Sequence, residues 1–337
     1  MSDETSKLPW APVADLPIEG HFPSLEGASG WLNSGPLTPA GLGGRIVAVD
    51  FCTYTCINWI RSLPYLRAWA ETYEDQGLVV IGVHTPEFSF ERDVENIRRA
   101  LADMRVEYPI AIDSDYGVWN AFANHYWPAL YLIDAEGRIR HHRFGEGDYD
   151  RSEVIIRQLL ADAGADEIGE GFAPVDPRGP EVQADWDSLE TAETYLGYRQ
   201  TQNFASPGGV TSDVPRQYER PEMLRRNHWA LSGDWTMRGD AAALNEPNGR
   251  IAFRFHARDV HLVMGPHDRE HPIGFRVTVD GEPPGGARGT DVDADGSGTL
   301  IEQRMYQLIR QPGPIVDRVF EIEFLASGAE GFALTFG

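Results

Sequence analysis

The chain has 337 residues, too many for one ordinary hydrophobic core, which indicates two domains and a linker. Its formal net charge of −23 argues against nucleic acid or an anionic lipid surface as a partner. No apolar run approaches the roughly 18 residues of a membrane span, and residues 1–19, an N-terminal arm, lack the pattern of a signal peptide. We therefore expect a cytoplasmic protein.

Strands and helices alternate over residues 20–165, which is typical of an α/β domain. A strand over 45–51 leads into a helix that Gly77 ends, and a buried strand follows. The remaining elements are expected as a helix over 90–104, a strand over 110–112, a helix over 116–123, a hairpin over 129–144 and a helix over 151–163. The pattern predicts a mixed sheet flanked by helices.

The composition changes near residue 165. Residues 166–225 are rich in Pro, Gly and acidic residues and are interpreted as a linker, with one short helix near 189–196. Residues 226–337 carry short strands of alternating character separated by turns. This spacing predicts an all-β sandwich of jelly-roll type.

Cys52 and Cys56 are the only cysteines, and they flank the junction between a strand and a helix. Cys56 falls in the first helical turn, where unpaired backbone N–H groups and the helix dipole lower the pKa of a thiol. Cys52 lies at the strand end. The alternative is that both are small buried residues without a redox role.

Four motifs carry a resemblance to a known family: VDFCTYTCINW, GVHTPEFSFE, YWPALYLID and FGEGDYD. With them, most of the chain resembles the thioredoxin superfamily, and within it the soluble C-terminal region of DipZ-like, redoxin-type proteins. The resemblance implies a thioredoxin-like domain followed by a carbohydrate-binding-module-like β-sandwich. It also implies that Pro128 is a cis-proline that faces the active-site cysteine and presents the backbone of Trp127 to a substrate.

The chain departs from the family at the second cysteine of the usual CxxC motif, where Trp59 stands. Cys52 occupies a position at which thioredoxins commonly have tryptophan. A disulfide needs its two Cβ atoms roughly 3.5–4.5 Å apart. Residues four positions apart do not come that close on a straight strand or on a helical turn. Three alternatives stay open: a reversible Cys52–Cys56 disulfide, Cys56 acting alone, or two inert thiols.

Other polar residues are candidates to support the thiol. Glu87 is the first choice as proton acceptor, with Glu146 second, provided that burial raises the carboxyl pKa. The alternative is that Glu87 only caps a turn. Thr53, three residues before Cys56, resembles the TxxC of peroxiredoxins, in which the hydroxyl orients the sulfur. Trp59 is expected to cover the sulfur.

Two functions remain in competition. The first is a thiol-based oxidoreductase without a cofactor, in which Cys56 attacks a disulfide-containing protein or a peroxide and Cys52 or an external thiol reductant resolves the product. The second is a redox-silent thioredoxin scaffold that recognises a protein or glycan partner.

The β-domain carries two weaker candidate sites. Trp229 and Trp235 are candidates for stacking on a sugar, although large aromatics at such positions are more often core residues. Four acidic residues match a calcium-loop pattern, but the flanking sequence lacks the helices of an EF-hand, and an acidic hairpin tip is the alternative. These residues are Asp291, Asp293, Asp295 and Glu302.

Overall fold

The structure, a computed structural model, describes residues 13, 15–166, 168–169 and 171–337. Residues 1–12 and 14 of the expected N-terminal arm, and residues 167 and 170 of the expected linker, lie outside the described residues. The chain divides into two compact units, and the boundary in the sequence lies between Glu181 and Val182. Within the described ranges, no helix combines the length and apolar character that a membrane span needs.

The first unit is an α/β sandwich. Its strands are Gly20–His21 (β1), Gly30–Leu32 (β2), Ile46–Cys52 (β3), Leu78–His84 (β4), Ile110–Ile112 (β5), Ala129–Ile133 (β6) and Arg138–Phe144 (β7). Its helices are Ile57–Tyr73 (α1), Val94–Asp103 (α2), Gly117–Ala121 (α3) and Tyr149–Asp162 (α4). The sheet order is β1-β7-β6-β3-β4-β5-β2, with β3 parallel to β4 and antiparallel to β6. This confirms the predicted mixed sheet and thioredoxin-like fold.

The central strand β3 is buried on both faces, as expected for a strand flanked by helices. Because side chains alternate along a strand, Val49 and Phe51 enter one apolar core. Asp50 and Cys52 point to the opposite face, which α1 covers through Trp59. This face of β3 lies beneath the start of α1.

The helix expected over 90–104 is two elements. A 3₁₀ turn, Ser89–Arg92, precedes α2, and Asp93 caps α2 by accepting a hydrogen bond from the Glu95 N–H at 2.8 Å. The N-cap aspartate therefore marks the helix start that apolar periodicity alone placed too early.

The second unit is all-β, as predicted. Its strands are Thr194–Tyr195 (β8), Arg216–Tyr218 (β9), Trp229–Met237 (β10), Ala242–Leu244 (β11), Gly249–Phe255 (β12), Asp259–Pro266 (β13), Ile273–Val279 (β14), Ser297–Leu300 (β15), Arg304–Arg310 (β16), Arg318–Phe324 (β17) and Ala329–Phe336 (β18). The order along the sheet is β15-β14-β17-β12-β10-β11-β18-β13-β16.

The sheet of the second unit curls into two layers that enclose one apolar core, and strand β10 belongs to both layers. Residues 229–232 pair with β12, whereas residues 235–237 pair with β11. Between them, Gly233 has a φ of +101°, which residues with a side chain rarely adopt. The glycine therefore allows one strand to turn from one layer into the other.

The expected linker contributes short strands to the second unit. Strand β8 pairs with β18, and β9 pairs with β10. The helix expected near 189–196 was wrong, because β8 occupies residues 194–195. Strands of two or three residues are too short to show a period of two in the sequence.

Candidate functional site

Cys56 is the N-cap residue of α1, at the helix start at which the sequence predicted it. Its carbonyl oxygen accepts the first helical hydrogen bond, from the Ile60 N–H at 3.0 Å. Its own N–H donates to the carbonyl oxygen of Thr53 at 3.1 Å. The residue is half-buried, and its position at the helix N-terminus places it next to the unpaired N–H groups of the first turn.

The loop before β6 contributes a carbonyl group beside this thiol. The Cys56 sulfur lies 4.0 Å from the carbonyl oxygen of Trp127, and the Trp127–Pro128 peptide bond is cis. The Trp127 indole is held in turn, because its Nε1–H donates to the Thr85 carbonyl at 3.1 Å. The structure therefore brings together Cys56, Trp127 and Pro128.

Cys52 is fully buried at the end of β3 and, like Cys56, is a free thiol. A Cβ added at Gly82 would lie 3.6 Å from its sulfur, so the sulfur packs against the neighbouring strand β4. Burial, and then the negative charge of Asp50, raise the pKa of the Cys52 thiol well above its usual value. Cys52 is therefore a protonated, shielded thiol in this conformation.

Asp50 is a buried acid that the sequence analysis did not single out. Its Oδ2 accepts a hydrogen bond from the Trp59 indole Nε1–H at 2.7 Å. Burial raises the pKa of Asp50 from 3.8 to about 8, against the opposing effect of this hydrogen bond. Trp59 is fully buried, so its ring reaches into the core and does not form an exposed cover over the sulfur. In the sequence, a charged residue between the apolar residues Val49 and Phe51 of a strand was the available sign of this buried acid.

A small cavity of about 20 Å³ adjoins Asp50. Its lining includes Ser62, Arg143 and Tyr149, and the Arg143 Nε is buried without a hydrogen-bond partner. A cavity of this size with several polar groups can hold one water molecule. Such a water would hydrate Asp50 within the core.

Glu91, rather than Glu87, is the carboxylate buried beside the cysteine loop. Glu91 is fully buried, and its Oε1 accepts a hydrogen bond from the Thr55 hydroxyl at 2.6 Å. Burial raises the pKa of Glu91, while its hydrogen bonds favour the ionised form. Glu87 is half-buried and donates its backbone N–H to Glu91. The aromatic residues around Glu91 in the sequence, Phe88 and Phe90, were the available sign of burial.

Glu146 is held in a buried ion pair. Its Oε1 lies 3.0 Å from a guanidinium nitrogen of Arg61, and the two side chains are 5% and 2% exposed. Burial raises the pKa of Glu146, and the positive charge of Arg61 opposes that effect. Glu146, the second choice as proton acceptor, therefore balances the charge of Arg61 in this conformation.

Two further residues near the site have no acid–base role in this geometry. His84 is fully buried and stacks on Tyr54 with ring centroids 5.6 Å apart. Burial lowers the pKa of His84 to about 3, so it is neutral near pH 7. Thr53 is fully buried and meets Cys56 through its backbone carbonyl, as described above.

The weaker calcium-loop candidate is not supported by the contacts of its acidic residues. Asp291 accepts hydrogen bonds from Arg304 at 2.6 Å and from the Gln307 N–H at 2.8 Å. Asp295 instead accepts from the Ser297 N–H at 3.0 Å. No group of metal-ligating side chains occurs among the residues that the structure describes. The segment is a turn leading into β15, the alternative considered for it.

The two tryptophans considered for sugar stacking lie in the core of the second unit, the position favoured for them from the sequence. Trp229 and Trp235 are both fully buried. Their indole N–H groups donate to the carbonyl oxygens of Gln202 at 3.0 Å and Ser232 at 2.9 Å. Buried tryptophans with satisfied N–H groups stabilise the sandwich and offer no ring face to a glycan.

Comparisons with known proteins agree with this architecture. The AhpC/TSA family matches residues 22–142, and the family described as Thioredoxin like C-terminal domain matches residues 191–337. Protein DipZ of Mycobacterium tuberculosis is 38% identical over 257 residues, which are 75% of this chain and 36% of that protein. The chain thus spans about a third of the length of the DipZ proteins it matches.

Two shorter proteins resemble the first unit. The thiol-disulfide oxidoreductase YkuV of Bacillus subtilis is 29% identical over 141 residues, which are 42% of this chain and 95% of that protein. A solved thioredoxin-like protein in the oxidised form is 29% identical, with a TM-score of 0.40, over 43% of this chain and 97% of that one. Taken with the mixed sheet, the helix-capping Cys56 and the cis Pro128, the two family matches assign the chain to the thioredoxin superfamily, as a redoxin-type protein with the domain order of DipZ-like proteins.

Proposed function

We propose that this protein is a thiol-disulfide oxidoreductase in which Cys56 is the nucleophile. The observation that carries the proposal is the position of the Cys56 thiol, half-buried at the N-cap of α1 and 4.0 Å from the Trp127 carbonyl oxygen. A helix N-terminus favours the thiolate, which is the attacking form in disulfide exchange. The carbonyl beside it offers an acceptor for the backbone of an incoming polypeptide.

In the first step, the Cys56 thiolate attacks one sulfur of a substrate disulfide. The new S–S bond forms as the substrate bond breaks, and the second substrate sulfur leaves as a thiolate. A further thiolate then attacks the Cys56 sulfur of the mixed disulfide, so that a disulfide forms between Cys56 and this thiol and the remaining substrate sulfur leaves as a thiolate. A second equivalent of reducing thiol then breaks that disulfide and returns Cys56 to the thiol form. The chain needs no bound cofactor for this sequence.

The resolving thiol is either Cys52 or an external reductant. Full burial and the raised pKa of Cys52 favour an external thiol while the loop keeps this conformation. Cys52 becomes competent only if the loop through residues 53–55 moves. In that event Asp50, on the same face of β3 and with a pKa near 8, is the carboxylate suited to take its proton.

A protein disulfide is the substrate class we favour. Similarity of the first unit to YkuV, a thiol-disulfide oxidoreductase, supports disulfide exchange rather than peroxide reduction. The identities of the substrate and of the thiol reductant are part of this proposal, as is the cytoplasmic location expected from the sequence. Fractionation of cells that produce the chain tests the location.

Reduction of insulin by dithiothreitol tests the catalytic assignment. We expect the wild-type chain to accelerate it and Cys56→Ser to fall to the uncatalysed rate. Cys52→Ser is the matched control, because it removes the buried thiol and leaves Cys56 in place; with an external thiol present it should retain activity. Activity that survives Cys56→Ser would refute the assignment. No acceleration by the wild type, with both thiols unreactive until unfolding, would favour the redox-silent scaffold.

A further inference from the structure

Both carboxylate oxygens of Glu91 are engaged inside the core. Oε1 accepts the Thr55 hydroxyl at 2.6 Å, and Oε2 accepts the backbone N–H groups of Glu87 and Phe88 at 2.7 and 2.8 Å. The side chain is 0% exposed. Hydrogen bonds to an ionised acceptor are shorter and stronger than neutral ones, and leaving such a group unpaired in the core is costly.

These contacts join two loops at the same edge of the sheet. Thr55 belongs to the loop from β3 to α1, whereas Glu87 and Phe88 belong to the segment that follows β4. Strands β3 and β4 are parallel neighbours, so both loops leave the sheet side by side. The Thr85 N–H also donates to the Cys52 carbonyl at 2.9 Å, but this bond fixes only the base of the loop.

Thr55 immediately precedes Cys56, so the hydroxyl bond restrains the residue attached to the N-cap. Within the loop, the Cys56 N–H donates to the Thr53 carbonyl at 3.1 Å, and the Tyr54 ring packs against the rings of His84 and Phe90. The bond between Thr55 and Glu91 adds a direct hydrogen bond from the residue before Cys56 to the segment that follows β4.

We propose that Glu91 is a positioning residue for Cys56: its buried carboxylate holds Thr55 and thereby keeps the thiol at the first turn of α1. This inference rests on the proposed function, since it concerns the reactivity of the same thiol. Glu91 itself does not touch the substrate.

A positioning role and a purely electrostatic role have opposite signatures. A negative charge near a thiol disfavours the thiolate, so an electrostatic role makes Cys56 less reactive when Glu91 is present. Positioning makes Cys56 more reactive, because the thiolate gains from the helix N-terminus only while it stays there. Thr55→Val separates the two roles, since it removes the hydroxyl, retains the shape and changes no charge.

The experiment measures alkylation of Cys56 by iodoacetamide between about pH 5 and pH 10 in the full chain carrying Cys52→Ser. We expect Thr55→Val to raise the midpoint of the pH profile by about half to one unit and to slow alkylation near pH 7 by about three- to tenfold. Thr55→Ser, which keeps the hydroxyl, should stay within about twofold of the parent. Glu91→Gln replaces one carboxylate oxygen by an NH₂ group, which cannot accept hydrogen bonds. Because the side chain then holds its partners less well, hydrogen exchange over residues 53–60 should become faster.

The inference is overturned if folded Thr55→Val has the parent's midpoint, or if Thr55→Ser is slowed as much as Thr55→Val. A lower midpoint in Glu91→Gln together with an unchanged Thr55→Val profile assigns Glu91 an electrostatic role instead. If Glu91→Gln does not fold, the two Thr55 variants still decide. Failure of the proposed function looks different: the parent Cys56 would then alkylate no faster than in the urea-unfolded chain.

Discussion

Asp50 makes the stability of the first unit depend on pH in a direction unusual for an aspartate. The side chain is 2% exposed, and burial raises its pKa from 3.8 to about 8. Between these two values the folded state holds a proton that the unfolded chain has released. Stability therefore falls as the pH rises through this window, and the loss is complete above the folded-state pKa.

Asp50→Asn removes this dependence while keeping the size of the side chain and an acceptor for the Trp59 indole. Each pH unit between the two pKa values is worth about 1.4 kcal/mol, which gives an upper bound of about 6 kcal/mol. Because the adjoining cavity can admit water and the effective dielectric of protein sites is high, we expect the advantage of Asp50→Asn to grow by about 2–4 kcal/mol from about pH 5 to about pH 9.

Cys52 supplies the assay, because it is fully buried and reacts only when the first unit opens. Each protein is equilibrated in urea at the chosen pH, and a short maleimide pulse at one common pH labels the exposed thiol. Mass spectrometry then gives the unfolding midpoint of this unit within the full chain. Other titrating groups are shared by the two proteins and cancel. Parallel stability curves for wild type and Asp50→Asn across this pH range would refute the reasoning.

Three other outcomes are expected. Trp59→Cys restores the family's cysteine spacing and should raise the rate of insulin reduction. Since Trp59 is fully buried, the substitution should also lower the free energy of unfolding by roughly 3–5 kcal/mol. A folded variant with no gain in rate would show that the site has diverged further. Arg61→Met leaves the carboxylate of Glu146 buried without its partner. It should lower the free energy of unfolding by about 3–5 kcal/mol, measured by urea unfolding. Adding Glu146→Leu to it should recover much of that loss, and no recovery would contradict the ion-pair argument. Calcium at about 1 mM should leave the melting temperature unchanged, because Asp291 already bonds to Arg304. A higher melting temperature with calcium would support a calcium site in this loop.

The local pattern of the sequence was enough to predict the main strands and helices between residues 45 and 163 and most of the strands after residue 226. Apolar runs and their periods identified β3, β4 and α1, and the motif around Cys56 placed this thiol at the start of a helix, where the structure also has it. Such features depend on neighbours within a few residues, so they can be inferred without knowing the fold. The resemblance added the cis peptide bond before Pro128; the carbonyl oxygen of Trp127, on that bond, contacts Cys56 from 71 positions away in the sequence.

Which polar groups surround the thiols was decided only by tertiary structure. The sequence offered Glu87 and Glu146, whereas packing buried Glu91 beside Thr55 and paired Glu146 with Arg61. The pKa of Asp50 likewise depends on the helix that covers one face of β3. Burial and the distance between charges arise from contacts between segments far apart in the chain, and these set the free energy of ionisation. Spacing along the sequence therefore locates the candidate nucleophile, Cys56, but only the packed fold determines which carboxylates lie beside its loop.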